Sequence, residues 1–163
     1  MVFKVQWNRK LLIDAIDNTR HVVSSPKRIL SSKAPSRASR AVHSGDVLFS
    51  TVRPYLRNIA KINNELEDCI ASTGFYVCSP LEYLCTDYLY WMLISNYVID
   101  GLMPFMKGDN SPSINNTDLE RFKFPIPPLS EQKRIVQKIE ELSKYIDSLE
   151  YVKNNTQNTP SEA

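Results

Sequence analysis

Apolar and polar positions recur with two different periods along this chain, and each change of period marks where one kind of element gives way to another. Residues 9–17 set Leu11, Leu12, Ile13 and Ile16 among Arg9, Lys10, Asp14 and Asp17, a spacing that predicts a short amphipathic helix. Residues 24–40 carry Ser, Pro and Arg instead of packing side chains and read as loop. After the Gly45-Asp46 turn, residues 47–52 are β-branched and aromatic and predict a strand. Pro54 interrupts, and residues 56–62 predict a second strand. Residues 69–78 predict a third, in which Gly74 marks a bulge or a close approach.

Thr86 is placed to cap a helix running through Ile99, with Asp87 in its first turn and Gly101 just beyond its end. Its apolar residues surround the axis, so its aromatics are expected to pack in a core and not to form a base-stacking platform. A polar loop, residues 107–116, precedes Thr117-Asp118-Leu119-Glu120, which has the spacing of a capping box. Pro125, Pro127 and Pro128 then keep the chain out of any sheet ladder. Ser130 is the expected cap of a final helix. Along it Ile135, Ile139, Leu142, Ile146 and Leu149 recur at alternating intervals of four and three, the seam of a coiled coil sustained for about two heptads. Such a seam packs either on its own domain or on a second helix. The polar tail, residues 154–163, is expected to be disordered. The organisation expected is an α/β (α+β) globular domain over residues 1–128, a coiled-coil-forming dimerisation or spacer helix over 129–153, and the tail.

Charge changes this picture. The net +2 conceals a segregation: between residues 27 and 61 stand eight basic residues and one acid, Asp46, giving +7, and the rest of the chain sums to −5. A polyanion-binding surface on an otherwise neutral body leaves that footprint, and so does a solvated basic face without a partner. Within the stretch, Lys27, Arg28, Lys33, Arg37 and Arg40 belong to the loop-like segment. The run from Ser50 to Asn58 is more pointed. If it is extended, Arg53, Tyr55 and Arg57 share one face, because side chains alternate. Arginine grips phosphate or guanine, tyrosine contacts sugar or base, and the Ser50 and Thr51 hydroxyls add phosphate donors. Lys107 and Asn110 of the polar loop complete the candidate DNA-binding set. An exposed edge strand with charged gatekeepers is the other reading of the same run.

Other chemistries lack their residues. His21 and His43 have no zinc-ligand spacing to a cysteine pair, and the glycines form no phosphate-cradling motif, so neither a metal nor a nucleotide cofactor is expected. Glu131-Gln132-Lys133 matches half of a nuclease metal site, but it opens a helix and lacks a partner acid on a preceding strand. The longest apolar run, residues 88–94, falls far short of the ~20 residues of a membrane span. No secretory signal is expected after Met1, and Cys69, Cys78 and Cys85 fit free thiols in a reducing, cytoplasmic compartment.

Two stretches carry a family likeness. Residues 45–54, from Gly45-Asp46-Val47-Leu48 to Arg53-Pro54, resemble a strand of type I restriction specificity subunits. Gly108-Asp109-Asn110-Ser111-Pro112-Ser113, then Phe124-Pro125-Ile126-Pro127-Pro128-Leu129-Ser130-Glu131-Gln132 with Lys133-Arg134-Ile135-Val136, resemble the end of that family's target-recognition domain and its passage into a conserved helix. The resemblance covers roughly residues 40–150. It implies a non-catalytic α/β globule reading one half of a split duplex DNA sequence. It also implies a helix that packs antiparallel on another such helix, spaces two reading domains, and docks methyltransferase subunits. Those partners would bind S-adenosylmethionine and methylate adenine, while an ATP-driven restriction subunit cuts. Family members usually carry two recognition domains and two helical regions; one of each is expected here, as in a half-subunit that pairs with itself or in a truncated product. The competing expectation is an interaction module that docks on a methyltransferase through its helix and reads no DNA.

Overall fold

The computed structural model describes residues 9–11, 16–24, 26–28, 36, 38–67 and 69–157. Its strands are β1 (Arg9–Leu11), β2 (Ile16–Asp17), β3 (Val22–Val23), β4 (Lys27–Arg28), β5 (Ala38–Ala41), β6 (Val47–Ser50), β7 (Ile59–Lys61), β8 (Cys69–Ser72) and β9 (Phe75–Cys78). The helices are α1 (Thr86–Ile94), α2 (Asn96–Leu102), α3 (Asn116–Glu120) and α4 (Leu129–Gln157). The architecture is α+β with a long C-terminal helix.

β6 is the pivot. It lies between β7 and β9 in an antiparallel sheet and is buried on both faces. Val47 and Phe49 face the helices, packing with Ile59, Leu93, Val98 and Leu102. Leu48 faces the other way, into a second cluster with Val42, Ile62, Ala71 and Phe75. Beyond that cluster lies a four-stranded sheet ordered β4-β1-β8-β5, and β2–β3 form a separate hairpin. Continuous burial explains the apolar run Val47-Leu48-Phe49: a strand covered on both faces need not alternate.

Several local expectations change. Arg9–Leu11 and Ile16–Asp17 form β1 and β2 where a helix was expected, Arg9 to Leu11 pairing in parallel with Cys69 to Ala71; residues 12–15 of that expected helix lie outside the described residues. Residues 69–78 break at the Thr73-Gly74 turn into β8 and β9, which belong to different sheets. The helix expected over 86–99 breaks at Ser95, whose hydroxyl donates to the Met92 carbonyl at 2.6 Å while its backbone is extended (ψ 151). Gly101 is no stop signal but lies inside α2, where the Phe122 ring occupies the space a Cβ would take, 2.5 Å away. The cap of α3 is Asn115, whose N–H donates to the Asp118 carboxylate at 2.8 Å, and Thr117 is inside the helix. Gly45 sits at φ +91 in the turn before β6, a conformation that costs a side-chain-bearing residue ~1–2 kcal/mol.

α4 begins at Leu129, one residue before Ser130, with the Pro128 carbonyl accepting the Glu131 and Gln132 N–H groups. It continues to Gln157, four residues past its expected end, so the tail expected from residue 154 begins as helix; residues 158–163 lie outside the described residues. Gln132 and Val136 are buried against the domain. Among the described residues no helix is long and apolar enough to cross a membrane.

Candidate nucleic-acid interface

The run after β6 turns instead of extending. Arg53 and Arg57 both adopt left-handed backbone (φ 49 and φ 50), and Pro54–Leu56 between them form one 3-10 turn. Its hydrogen bonds run from Leu56 N–H to the Arg53 carbonyl and from Arg57 N–H to the Pro54 carbonyl, each 2.9 Å. Alternation along a strand therefore does not align Arg53, Tyr55 and Arg57. An arch brings them together: Pro54 is buried as its foot, whereas Tyr55 (42%) and Leu56 (38%) stand exposed at its crown.

The arch is braced on three sides. Arg53 donates to the Asn110 carbonyl at 2.7 Å, and its N–H bonds the Pro112 carbonyl at 2.8 Å. Reciprocal 2.9 Å bonds between the Lys107 and Ser113 backbones close that loop, and Gly108 (φ +95) turns it. Exposed Lys107 and Asn110 are thereby carried beside Arg53. Arg57 donates to the Asn96 side-chain oxygen at 2.5 Å, at the start of α2. On the third side the β2–β3 turn reaches in: Asn18 donates to the Leu56 carbonyl at 3.1 Å, and His21 Nδ1 lies 3.0 Å from the Arg57 carbonyl. Asp17 holds that turn, its carboxylate accepting the Arg20 and Thr19 N–H groups, which keep its pKa below the usual value.

Two features set this spot apart. Among the described residues, the non-glycine positions with positive φ are His21, Arg53 and Arg57, and all three meet here. Strain of this kind costs ~1–3 kcal/mol per residue and gathers where geometry serves a ligand. The hydrogen-bond partners of both arginines are neutral oxygens. Among the described residues no ion pair engages either one, so their charge stays available. Lys61 differs: Asp87 binds it at 2.6 Å and Tyr90 lies 5.0 Å away, so one of the eight cations of the basic stretch is neutralised.

Other candidates separate. Ser50 and Thr51 are buried, and their hydroxyls donate to the Val52 carbonyl (2.8 Å) and the Gly74 carbonyl (3.0 Å). They brace the root of the arch and are corrected from phosphate donors to internal struts. Lys27 and Arg28 lie on β4, and half-buried Arg40 on β5, the opposite edge of the same sheet, three strand spacings or ~14 Å away. Lys33 and Arg37 lie outside the described residues. The register of β1 against β4 sets Arg9 opposite Arg28 and Lys10 opposite Lys27, a placement that the helical spacing over residues 9–17 did not announce. Asn18 and Asn96 were also missed. Asp17-Asn18 before Thr19 carries an Asx-turn signal that could have marked the first; the local sequence carries none for the second.

The helix seam also divides. Ile135 and Ile139 are half-buried against α1, facing Trp91 and Met92. Leu142, Ile146 and Leu149 stand 50–68% exposed, joined by Tyr145 and Val152. Glu131 is held by Arg134 through bonds of 2.8 and 2.7 Å that keep its pKa low, which leaves its carboxylate engaged. Among the described residues no cluster of three His, Cys, Asp or Glu side chains could hold a metal.

The family described as type I restriction modification DNA specificity domain matches residues 22–157. The specificity subunit of type I restriction enzyme EcoDI from Escherichia coli is 30% identical over 119 residues, 72% of this chain and 26% of that protein. The HindI specificity subunit from Haemophilus influenzae is 26% identical over 116 residues, 69% of this chain and 25% of its own length. The crystal structure of the HsdS subunit from Thermoanaerobacter tengcongensis superposes with a TM-score of 0.85 at 37% identity, covering 93% of this chain and 39% of that one. A second structure, from work on complex assembly and conformational transition of the type I R-M system, gives 0.84 at the same identity and coverage. The chain thus spans about a quarter of the curated relatives and about two fifths of the solved ones.

Proposed function

The chain belongs to the type I restriction–modification DNA specificity family, and from that premise we propose that it reads one half of a bipartite duplex DNA target through the Arg53–Arg57 arch and the adjoining 107–113 loop. The observation that carries this reading is the pair of strained arginines whose charge no acid takes up among the described residues, held on either side of an exposed Tyr55. An arch crowned by an aromatic ring and flanked by guanidinium groups suits a groove: arginine binds guanine edges bidentately or clamps phosphate, and tyrosine rests on sugar or base.

In this reading residues up to 128 form the reading domain and α4 sets its partner at a distance. The exposed stripe from Leu142 to Val152 pairs antiparallel with a like helix, from a second copy or a second recognition region. Methyltransferase and restriction subunits of the type I complex then act where the domain has docked, and the chain itself performs no catalysis. The same stripe also favours a second reading, an interaction module that binds a methyltransferase and no DNA. Selection of binders from random duplex DNA, with the cognate methyltransferase subunits present, separates the two. Enrichment of a split target with a fixed spacer supports DNA reading. Recovery of the methyltransferase with no enriched sequence overturns it.

A further inference from the structure

Gln132 is the one fully buried polar side chain on the described part of α4, in the first turn of a 29-residue helix. Its side-chain oxygen accepts the Cys85 N–H at 2.8 Å. Its amide nitrogen donates to the Tyr83 carbonyl at 3.0 Å and the Pro127 carbonyl at 2.8 Å. Both amide protons are therefore used, and the partners come from the loop before α1 and from the proline-stiffened strut before α4. An apolar residue of the same volume would fill that space, so burial alone does not explain an amide there. Burying it without partners would leave its polar atoms desolvated and unpaired, so the planar group tolerates essentially one orientation. The neighbouring contacts of Ile135, Val136 and Ile139 are apolar and nondirectional. They seat the helix on the domain by packing, and the directional constraint at its base comes from Gln132.

The angle matters because the helix is a lever. From residue 132 to residue 157 it extends ~38 Å, so a tilt of about 10° at its base moves its tip by ~7 Å, on the order of two base-pair steps. We propose that Gln132 is a positioning residue: its three hydrogen bonds fix the angle between the reading domain and α4, and thereby the spacer length that the assembled protein accepts. This rests on the DNA-reading function proposed above and adds to it a residue that touches no DNA.

The test compares wild type with Gln132→Leu and Gln132→Met, each as the full chain in complex with its methyltransferase subunits. The duplexes carry a single half-site or the selected bipartite site with spacers one base pair shorter, equal or longer. Wild type gains ~10²–10⁴-fold on the bipartite site over the half-site, by effective concentration, and only at the matched spacer. The variants are expected to bind the half-site within about twofold of wild type but to lose at least ~10-fold of the preference for the matched spacer. Spin labels on exposed Glu67 and Ser148, attached by chemistry that spares the native thiols, are expected to show a broader distance distribution in the variants. An unchanged spacer preference with an unchanged distribution overturns the proposal. So does loss of half-site binding, which would make Gln132 a part of the domain core and not of the joint. Failure of wild type to bind any half-site strikes the proposed function itself, and is read from the wild-type arm alone.

Discussion

Replacing Arg53 by glycine is expected to make this protein more stable than replacing it by alanine, while the two replacements damage DNA binding equally. Both remove the side chain and its bond to the Asn110 carbonyl, so that loss cancels in the comparison. They differ in the backbone. At φ 49 and ψ 58 a Cβ collides with the following carbonyl at ~1–2 kcal/mol, which alanine retains and glycine relieves. Against this, glycine loses ~0.4–1 kcal/mol more chain entropy on folding. The net is about 1 kcal/mol in favour of glycine, or a thermal midpoint ~2–4 °C higher in a chain of this size. Ordinary sites in helices or strands would give the opposite order. Thermal unfolding followed by circular dichroism reads the first quantity. Titration of a labelled cognate duplex reads the second, where each variant should lose ~5- to 150-fold if Arg53 reads a base. A glycine variant no more stable than the alanine variant would remove the strain argument. One that binds DNA like wild type would remove Arg53 from the interface.

Gly101→Ala should destabilise the protein by about 1 kcal/mol in thermal unfolding. The new Cβ would stand 2.5 Å from Phe122, whose ring is wedged between Tyr97 at 5.4 Å and Phe124 at 5.2 Å, so ~1–3 kcal/mol of overpacking outweighs the ~1 kcal/mol gain in helix propensity. A more stable variant would show that Phe122 moves aside freely. The Asp17 turn should weaken in acid. Its folded pKa lies below the usual 3.8, so its contribution is complete above that value and lost as pH falls through the lower folded one. Asp17→Asn is expected to flatten the acid limb of the stability profile, and an unaltered limb would exclude the turn as its source.

What the sequence disclosed depended on how local the signal was. The strand at Val47, the strand after Pro54 and the polar loop at 107–116 follow from neighbouring residues alone, and the fold contains them. The strand at residues 9–11 does not, because its pairing with Cys69 to Ala71 comes from sixty positions away and overrides a helical spacing of apolar residues. The same long-range pairing places Arg9 and Lys10 opposite Arg28 and Lys27 in register. Arg53, Tyr55 and Arg57 were legible as a group but not as a shape: the arch is braced by Asn18, His21 and Asn96 on the Arg57 side and by Asn110 and Pro112 on the Arg53 side, none adjacent in sequence. Ser50 and Thr51 looked like ligand donors because nothing local says that β6 is covered on both faces. Gln132 carried no signal of its own, standing only as the unspecified middle of a Glu131-x-Lys133 match, and its buried role appears only once the loop at Tyr83 and Cys85 is folded over it. The proline-rich passage into α4 was the clearest signal of family, and the comparisons bear that resemblance out.

The central claim is that the guanidinium groups of the arch lie against a duplex. Its most direct test is the salt dependence of binding to the selected duplex, for wild type and for the Arg53→Ala, Arg57→Ala double variant. Wild-type affinity should fall linearly on a double-logarithmic plot, losing ~0.9 in slope per phosphate contacted. The double variant should bind at least ~10-fold more weakly, and its line should be shallower by up to ~2 if both arginines touch phosphate. Parallel lines with weaker binding would assign them to bases. Superimposed lines of equal affinity would contradict the account.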